Sequence, residues 1–286
     1  MEKELLIKIE QNLNRIASSL EHNNKTHIEK IDDTKSVFIW EAEQKYLRAV
    51  EKINAIDLSL LKGIENQIQI LFDNTLSFSK GYQANNALLW GAKGTGKSSL
   101  VKSVFDRINK KNQNLKLIEI NREDLQTLPQ LLNYIRSLKN QFILYCDDLS
   151  FSKNDIQFKF LKSVLEGGVE GKPENVIFYA TSNIRHLISN DISDNSFSNA
   201  ISPSDNLNET ISLSDRFGLW IGFHNIDQNN YVSIVENYLN YYDIKDSNMD
   251  FKMLALQWSK VRGSQSGRVA WQFVIDIAGK LGKKIN

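Results

Sequence analysis

The chain has 286 residues, 41% hydrophobic and 24% charged, a balance that buries a substantial core and excludes disorder throughout. Thirty-five Lys and Arg against 34 Asp and Glu leave a net charge of +1, so no global field steers the protein toward nucleic acid or an acidic membrane. A single cysteine, Cys146, excludes an intramolecular disulfide framework, and four scattered histidines without paired cysteines argue against structural zinc.

In chain order, residues 1–60 read as an N-terminal helical extension. Leu6, Ile9, Leu13, Ile16 and Leu20 are spaced three and four apart, on one narrow seam of a helix. That seam either packs on the chain's own core or mediates self-association. The opening Met-Glu-Lys-Glu-Leu-Leu reads as neither a signal nor a transit peptide, and no apolar run approaches the roughly 18 residues that span a bilayer. A cytoplasmic protein with no membrane span is expected. A polar stretch over 21–36 precedes a second apolar segment with Phe38, Trp40, Tyr46 and Leu47.

Residues 61–225 form the second expected unit. Short β-rich apolar runs at 87–90, 115–120, 142–146, 176–180 and 219–223 alternate with helical patterns at 97–108, 124–138 and 156–165. Strands alternating with helices in this way predict a parallel sheet covered on both faces, a three-layer α/β sandwich. The Ser-, Asn- and Asp-rich segment 188–213, with Pro203 in its midst, reads as a long surface loop. Beyond Phe223 the strand signal stops, and 231–242, 251–261 and 269–281 read as three amphipathic helices of a small C-terminal unit, 226–286.

Gly91, Ala92, Lys93, Gly94, Thr95, Gly96, Lys97 and Ser98 match G-x-x-x-x-G-K-[ST] directly after a strand and at the opening of a helix, with Ser99 next in the run. The glycines let successive backbone N–H groups face a phosphate and the helix N-terminus adds positive potential; Lys97 would reach the β- and γ-phosphates and Ser98 would ligate Mg²⁺. About fifty residues on, Phe142-Ile143-Leu144-Tyr145-Cys146-Asp147-Asp148 is an apolar strand ending in two carboxylates, a Walker B pattern. Asp147 would hold Mg²⁺ and Asp148 would orient or deprotonate an attacking water. Asp in place of the longer Glu shortens that reach by about one bond and points to slow turnover. Cys146 itself reads as a core residue.

Thr181-Ser182-Asn183 puts polar side chains at the tip of another parallel strand, the end where such sheets bind ligands. Asn183 there either fixes the nucleophilic water or caps its loop. Arg216, in Ser214-Asp215-Arg216-Phe217-Gly218, either reaches a neighbouring subunit's γ-phosphate as an arginine finger or pairs with Asp215. Ser266 is a reasonable N-cap for the last helix, and Arg268 in its first turn opposes the helix dipole, so it either points at a bound anion or is simply solvated.

The ordered set resembles a AAA+ ATPase with its helical lid. More narrowly, Trp-Gly-Ala-Lys-Gly-Thr-Gly-Lys-Ser-Ser-Leu-Val-Lys, Cys-Asp-Asp-Leu-Ser-Phe, Ala-Thr-Ser-Asn-Ile-Arg-His-Leu and Leu-Ser-Asp-Arg-Phe-Gly-Leu-Trp resemble the bacterial AAA+ family catalogued as domain of unknown function 815, over roughly residues 37–286. The resemblance implies ATP binding and a five-stranded parallel sheet in the order 5-1-4-3-2. It implies sensor-1 character for Asn183, arginine-finger character for Arg216 and sensor-2 character for Arg268, and base contacts for Leu61, Gly63 and Ile64.

Two functions are expected from this set. One is an oligomeric switch or remodelling ATPase, hydrolysing Mg-ATP to ADP and phosphate with Arg216 acting in trans. The other is an ATP-gated binding or loader module with little hydrolysis, serving a protein or nucleic-acid client. The loop 166–172, with one Lys and two Glu, gives no reason to expect an anionic partner at that point. A small-molecule kinase is disfavoured, because no Arg-rich lid segment accompanies the P-loop.

Overall fold

The structure, a computed structural model, describes residues 31–151, 155–167, 171–185, 187 and 216–285. The seam from Leu6 to Leu20, the polar segment 188–213, the middle of the 166–172 loop and Asp215 lie outside these residues.

Five strands form the expected parallel core: β3 (Ala87–Gly91), β4 (Leu115–Glu119), β5 (Gln141–Cys146), β6 (Val176–Ser182) and β7 (Leu219–Phe223). Across the sheet they run β7-β3-β6-β5-β4, which is the order 5-1-4-3-2. Among the described residues the sheet nevertheless has seven strands, because β1 (Val37–Glu41) pairs parallel to β4 and β2 (Tyr46–Ala49) pairs antiparallel to β1. The helical reading therefore fails over 37–60, where a hairpin and one 3-10 turn, Leu58–Leu60, stand instead. The physical reason is a period of two: Phe38 and Trp40 are buried on one face of β1, and β-branched and aromatic residues favour a pleated, half-buried surface. The Trp40 indole donates to Thr127 Oγ1 at 2.8 Å. The buried Lys116 ammonium donates to the carbonyls of Asp33 (2.8 Å) and Lys35 (2.6 Å), stitching the chain ahead of the hairpin to β4.

The central strands are buried on both faces, so their alternation separates two cores rather than core from solvent. In β5, Phe142, Leu144 and Cys146 join one cluster while Ile143 and Tyr145 join the other. The first cluster is completed by α3 (Leu128–Arg136) and α4 (Ile156–Glu166), through Leu131, Ile135, Phe158 and Leu161. The second is completed by α1 (Glu65–Ser79) and α2 (Lys97–Asn109), through Leu71, Phe78, Leu100 and Val104. Helix α1 is an element the periodicity reading does not contain. Within the expected helix at 124–138, the chain first makes a 3-10 turn, Arg122–Thr127, and turns α-helical where Pro129 sits in the first turn, a place proline tolerates.

Three helices follow the sheet: α5 (Gln228–Tyr241), α6 (Phe251–Arg262) and α7 (Gly267–Lys280). Asp227, Asp250 and Ser266 cap them, each accepting a backbone N–H from the first turn. They bury a separate cluster around Tyr231, Val235, Phe273 and Ile277, which Leu60 joins from the chain ahead of α1. No helix among the described residues is long and apolar enough to cross a membrane.

Candidate functional site

The carboxyl ends of β3, β5 and β6 converge on one turn. At the end of β3, Gly91 has φ +131°, and a Cβ there would lie 1.9 Å from the Phe223 carbonyl oxygen, so only glycine lets the β3 and β7 backbones come this close. The Ala92 amide donates to that same oxygen at 3.0 Å. The loop then passes Gly94, φ +74°, and Gly96, φ +99°, and the latter opens α2 with its first N–H groups turned to the site. Lys97 is 7% exposed. Its ammonium is held by the loop's own carbonyls, Gly91 at 2.8 Å and Ala92 at 2.7 Å, and by Asn183 Oδ1 at 3.3 Å. Burial pushes the Lys97 ammonium below the ordinary lysine range, against the pull of Asp148 and Asp147.

Next to the lysine, the Ser98 hydroxyl donates to Asp147 Oδ1 at 2.7 Å, and the Thr181 hydroxyl donates to the same oxygen. Partial burial would raise the Asp147 carboxyl, but the hydrogen bonds from Thr181 and Ser98 work against it, and the carboxyl is held below the ordinary aspartate value. Asp148 adopts φ +51°, left-handed for a non-glycine residue. Its amide donates to Thr181 Oγ1 at 2.9 Å, and its carboxylate accepts from the Asn183 side chain. The Cys146 thiol, just inside this turn, is buried and pushed up to about 12, which makes it inert.

A cavity of about 600 Å³ is lined by this cluster and by residues of α5 and α7. Five cations, Lys62, Lys93, Lys97, Lys102 and Arg268, line it with two carboxylates, Asp147 and Asp148. The apolar side chains of Ile56, Leu61, Ile64, Ile234, Tyr238 and Trp271 also line it, and Leu61 and Ile64 reach up to Gly96 of the loop. Of the sequence-derived candidates, Leu61, Ile64, Lys93, Gly94, Thr95, Gly96, Lys97, Ser98, Ser99, Asp147, Asp148, Asn183 and Arg268 all reach its wall. Gly91 and Ala92 lie behind the loop, and Gly63 faces Asn230 at the start of α5, outside the lining. Arg216 stands apart, its guanidinium donating to Glu166 Oε1 at 3.1 Å at the end of α4.

Sequence reasoning passed over Asn54, Ile56, Lys102, Tyr238 and Trp271 as lining residues. Two carried a signal: Lys102 lies four residues after Ser98 and Trp271 three after Arg268, each on the same helix face as a named candidate. Thr181 was noted only as part of a polar strand tip.

The sequence model of the family described as Protein of unknown function (DUF815) matches residues 33–281. No curated protein matches. Among solved structures, the chain is similar to the Aeropyrum pernix Orc1 protein in complex with DNA, with a TM-score of 0.56, 15% identity, and coverage of 78% of this chain and 64% of that one. It is also similar to a Thermotoga maritima RuvB mutant, with a TM-score of 0.51, 14% identity, and coverage of 79% and 66%. The chain thus spans less than two thirds of the length of the Orc1 chain it matches. At these identities the likeness is one of fold, and the fold is AAA+-like.

Proposed function

The chain belongs to the DUF815 family, and we propose that it binds Mg²⁺-ATP between the phosphate loop and the C-terminal helices and hydrolyses it to ADP and phosphate, as an oligomeric switch or remodelling ATPase. The observation that carries this reading is the 2.7 Å bond between Ser98 and Asp147, set beside the Lys97 ammonium at the N-terminus of α2.

The residues present fit both groups. Successive backbone N–H groups at Gly94 and Gly96, the start of α2 and Lys97 make an anion cradle. The apolar lining of the cavity suits a base, with Leu61, Ile64, Tyr238 and Trp271 among its residues. Ser98 and Asp147 offer the one hydroxyl and one carboxylate that a Mg²⁺ site takes when phosphates and waters complete its shell. Among the described residues no cluster of three or more His, Cys, Asp or Glu forms an all-protein metal cage. When bound, Mg²⁺ supplies charge neutralisation at the phosphates.

The chain's own groups divide the remaining work in this reading. Lys97 turns from its loop carbonyls to the phosphates, Asp148 orients the attacking water with Asn183 beside it, and Arg268 brings positive charge from α7. Arg216, outside the cavity, serves a neighbouring subunit. The proposed units are the lid, 226–286, and the ATPase core, 61–225, to which the hairpin of residues 37–49 adds two strands.

One observation favours a second reading, an ATP-gated binding module for a protein or nucleic-acid client: the short Asp148 side chain is already engaged by Asn183. The test is ATP turnover per subunit across a wide range of protein concentration, with Lys97→Ala and Arg216→Ala as controls. A specific rate that rises with concentration and vanishes in both variants supports the assembling ATPase. Tight ATP binding without turnover supports the gated module, and no ATP binding overturns both.

A further inference from the structure

Three consecutive residues leave β5 at the candidate site, Asp147, Asp148 and Leu149, and one residue of the neighbouring strand holds all three. The Thr181 hydroxyl donates to Asp147 Oδ1 and accepts the Asp148 amide at 2.9 Å, while the Thr181 carbonyl accepts the Leu149 amide at 2.7 Å. A hydroxyl has one proton to give and lone pairs to accept with, and both capacities are used here. The placement follows from register: Cys146 opposes Ala180 in the last β5–β6 pair, so Thr181 stands one step beyond it, level with Asp147. Thr181 is 2% exposed and is one of the residues that line the cavity.

The contact with the Asp148 amide has a further consequence. Asp148 lies in the left-handed region, at φ +51°, where residues other than glycine are uncommon. That conformation turns its carboxylate to Asn183, and its amide is fixed by Thr181. The same hydroxyl therefore sets the direction of one carboxylate through a side-chain bond and of the next through the backbone.

We propose that Thr181 is a positioning residue that orients Asp147 toward Ser98 and holds the Asp148 turn, so that both carboxylates face the cavity together. The proposal rests on the reading of that cavity as a Mg²⁺-ATP site. Thr181 makes no demand on the nucleotide itself, so its effect separates from that of the phosphate loop.

The experiment compares the full chain with Thr181→Val, which keeps the branched shape and removes the hydroxyl, and with Thr181→Ser, which restores it. ATP affinity is measured with EDTA and across a Mg²⁺ titration, and turnover is measured alongside. For Thr181→Val, affinity in EDTA stays within about twofold of the unsubstituted chain, while the Mg²⁺ concentration for half-maximal effect rises about 10-fold or more and kcat falls; Thr181→Ser stays near the unsubstituted chain. Unchanged Mg²⁺ dependence and kcat in Thr181→Val, with only a lower melting temperature, overturns the proposal in favour of simple strand fastening. A Thr181→Ser variant as impaired as Thr181→Val overturns it too, because the hydroxyl is then not the cause. If Thr181→Val does not fold, Thr181→Cys is read by the same criteria. Absence of Mg²⁺-dependent ATP binding in the unsubstituted chain overturns the site reading itself, an outcome distinct from a working site indifferent to Thr181.

Discussion

The Gly267 amide donates to the Gly94 carbonyl at 2.9 Å, joining the first turn of α7 to the apex of the phosphate loop. Ser266, 5% exposed, packs on the same glycine. A Cβ at position 94 would lie 2.9 Å from Ser266 Oγ and 3.0 Å from Ser266 Cβ, and the backbone there has φ +74°. Gly94→Ala therefore costs about 1–2 kcal/mol of backbone strain and separates α7 from the loop. The expected outcome is at least a roughly 10-fold weaker ATP affinity by calorimetry, with the melting temperature lowered by only a few degrees. Unaltered affinity would show that the contact between α7 and the loop has no bearing on nucleotide binding.

Hydrogen bonds hold the Asp147 carboxyl below its ordinary value against the effect of burial. A carboxyl with a depressed folded-state pKa contributes stability above its unfolded value and loses it as pH falls through the folded one. Asp147 thus stays ionised throughout the range from pH 7 down to 5. The affinity ratio between the unsubstituted chain and Asp147→Asn, measured with Mg²⁺-ADP, is expected to stay constant over that interval, because the nucleotide's own titration cancels. A ratio that collapses already near pH 6 would contradict the arrangement.

Arg216 and Glu166 form an ion pair with side chains 48% and 36% exposed. Exposed pairs are worth about 0–1 kcal/mol, little enough for a subunit contact to break. Glu166→Gln should therefore raise concentration-dependent turnover by up to about fivefold, where Arg216→Ala abolishes it and leaves ATP affinity intact. Turnover in Glu166→Gln that matches the unsubstituted chain would mean that the pair does not restrain Arg216.

Trp40 is fully buried and anchors the hairpin to the 3-10 turn ahead of α3 through Thr127. Trp40→Ala removes that packing and leaves the Thr127 hydroxyl without its donor, and is expected to cost about 3–5 kcal/mol in denaturant unfolding. A loss under about 1 kcal/mol would show that the hairpin is an appendage rather than part of the core.

Much of the parallel core was legible because strands buried on both faces leave short continuous apolar runs, as at Phe142–Cys146, and because the phosphate loop is a contiguous motif whose glycines serve the local backbone. The hairpin was not, since its strands are only five and four residues long and the polar residues Glu41, Glu43, Gln44, Lys45 and Arg48 break up the period-two signal of Phe38 and Trp40. Helix α1 starts without a capping side chain at Ile64 and ends without a basic residue in its last turn, so neither terminus is marked. The apolar lining of the cavity includes Ile56, Ile234, Tyr238 and Trp271, residues far apart in the chain that only tertiary packing brings together. For Arg216 the sequence leaves a finger role and a pair with Asp215 both open, and it carries no signal for the contact with Glu166, which lies fifty residues away.

The concentration of five cations against two carboxylates around one opening has a kinetic meaning that the chain's net charge of +1 conceals. A multivalent anion diffusing past most of this surface feels little beyond a screening length of about 8 Å at physiological salt. If the cavity takes a nucleotide, the five lining cations against two carboxylates would focus positive potential at its mouth and draw encounters to the loop. Capture should accordingly slow as ionic strength rises, while escape, governed by close contacts with partly enclosed groups, changes far less.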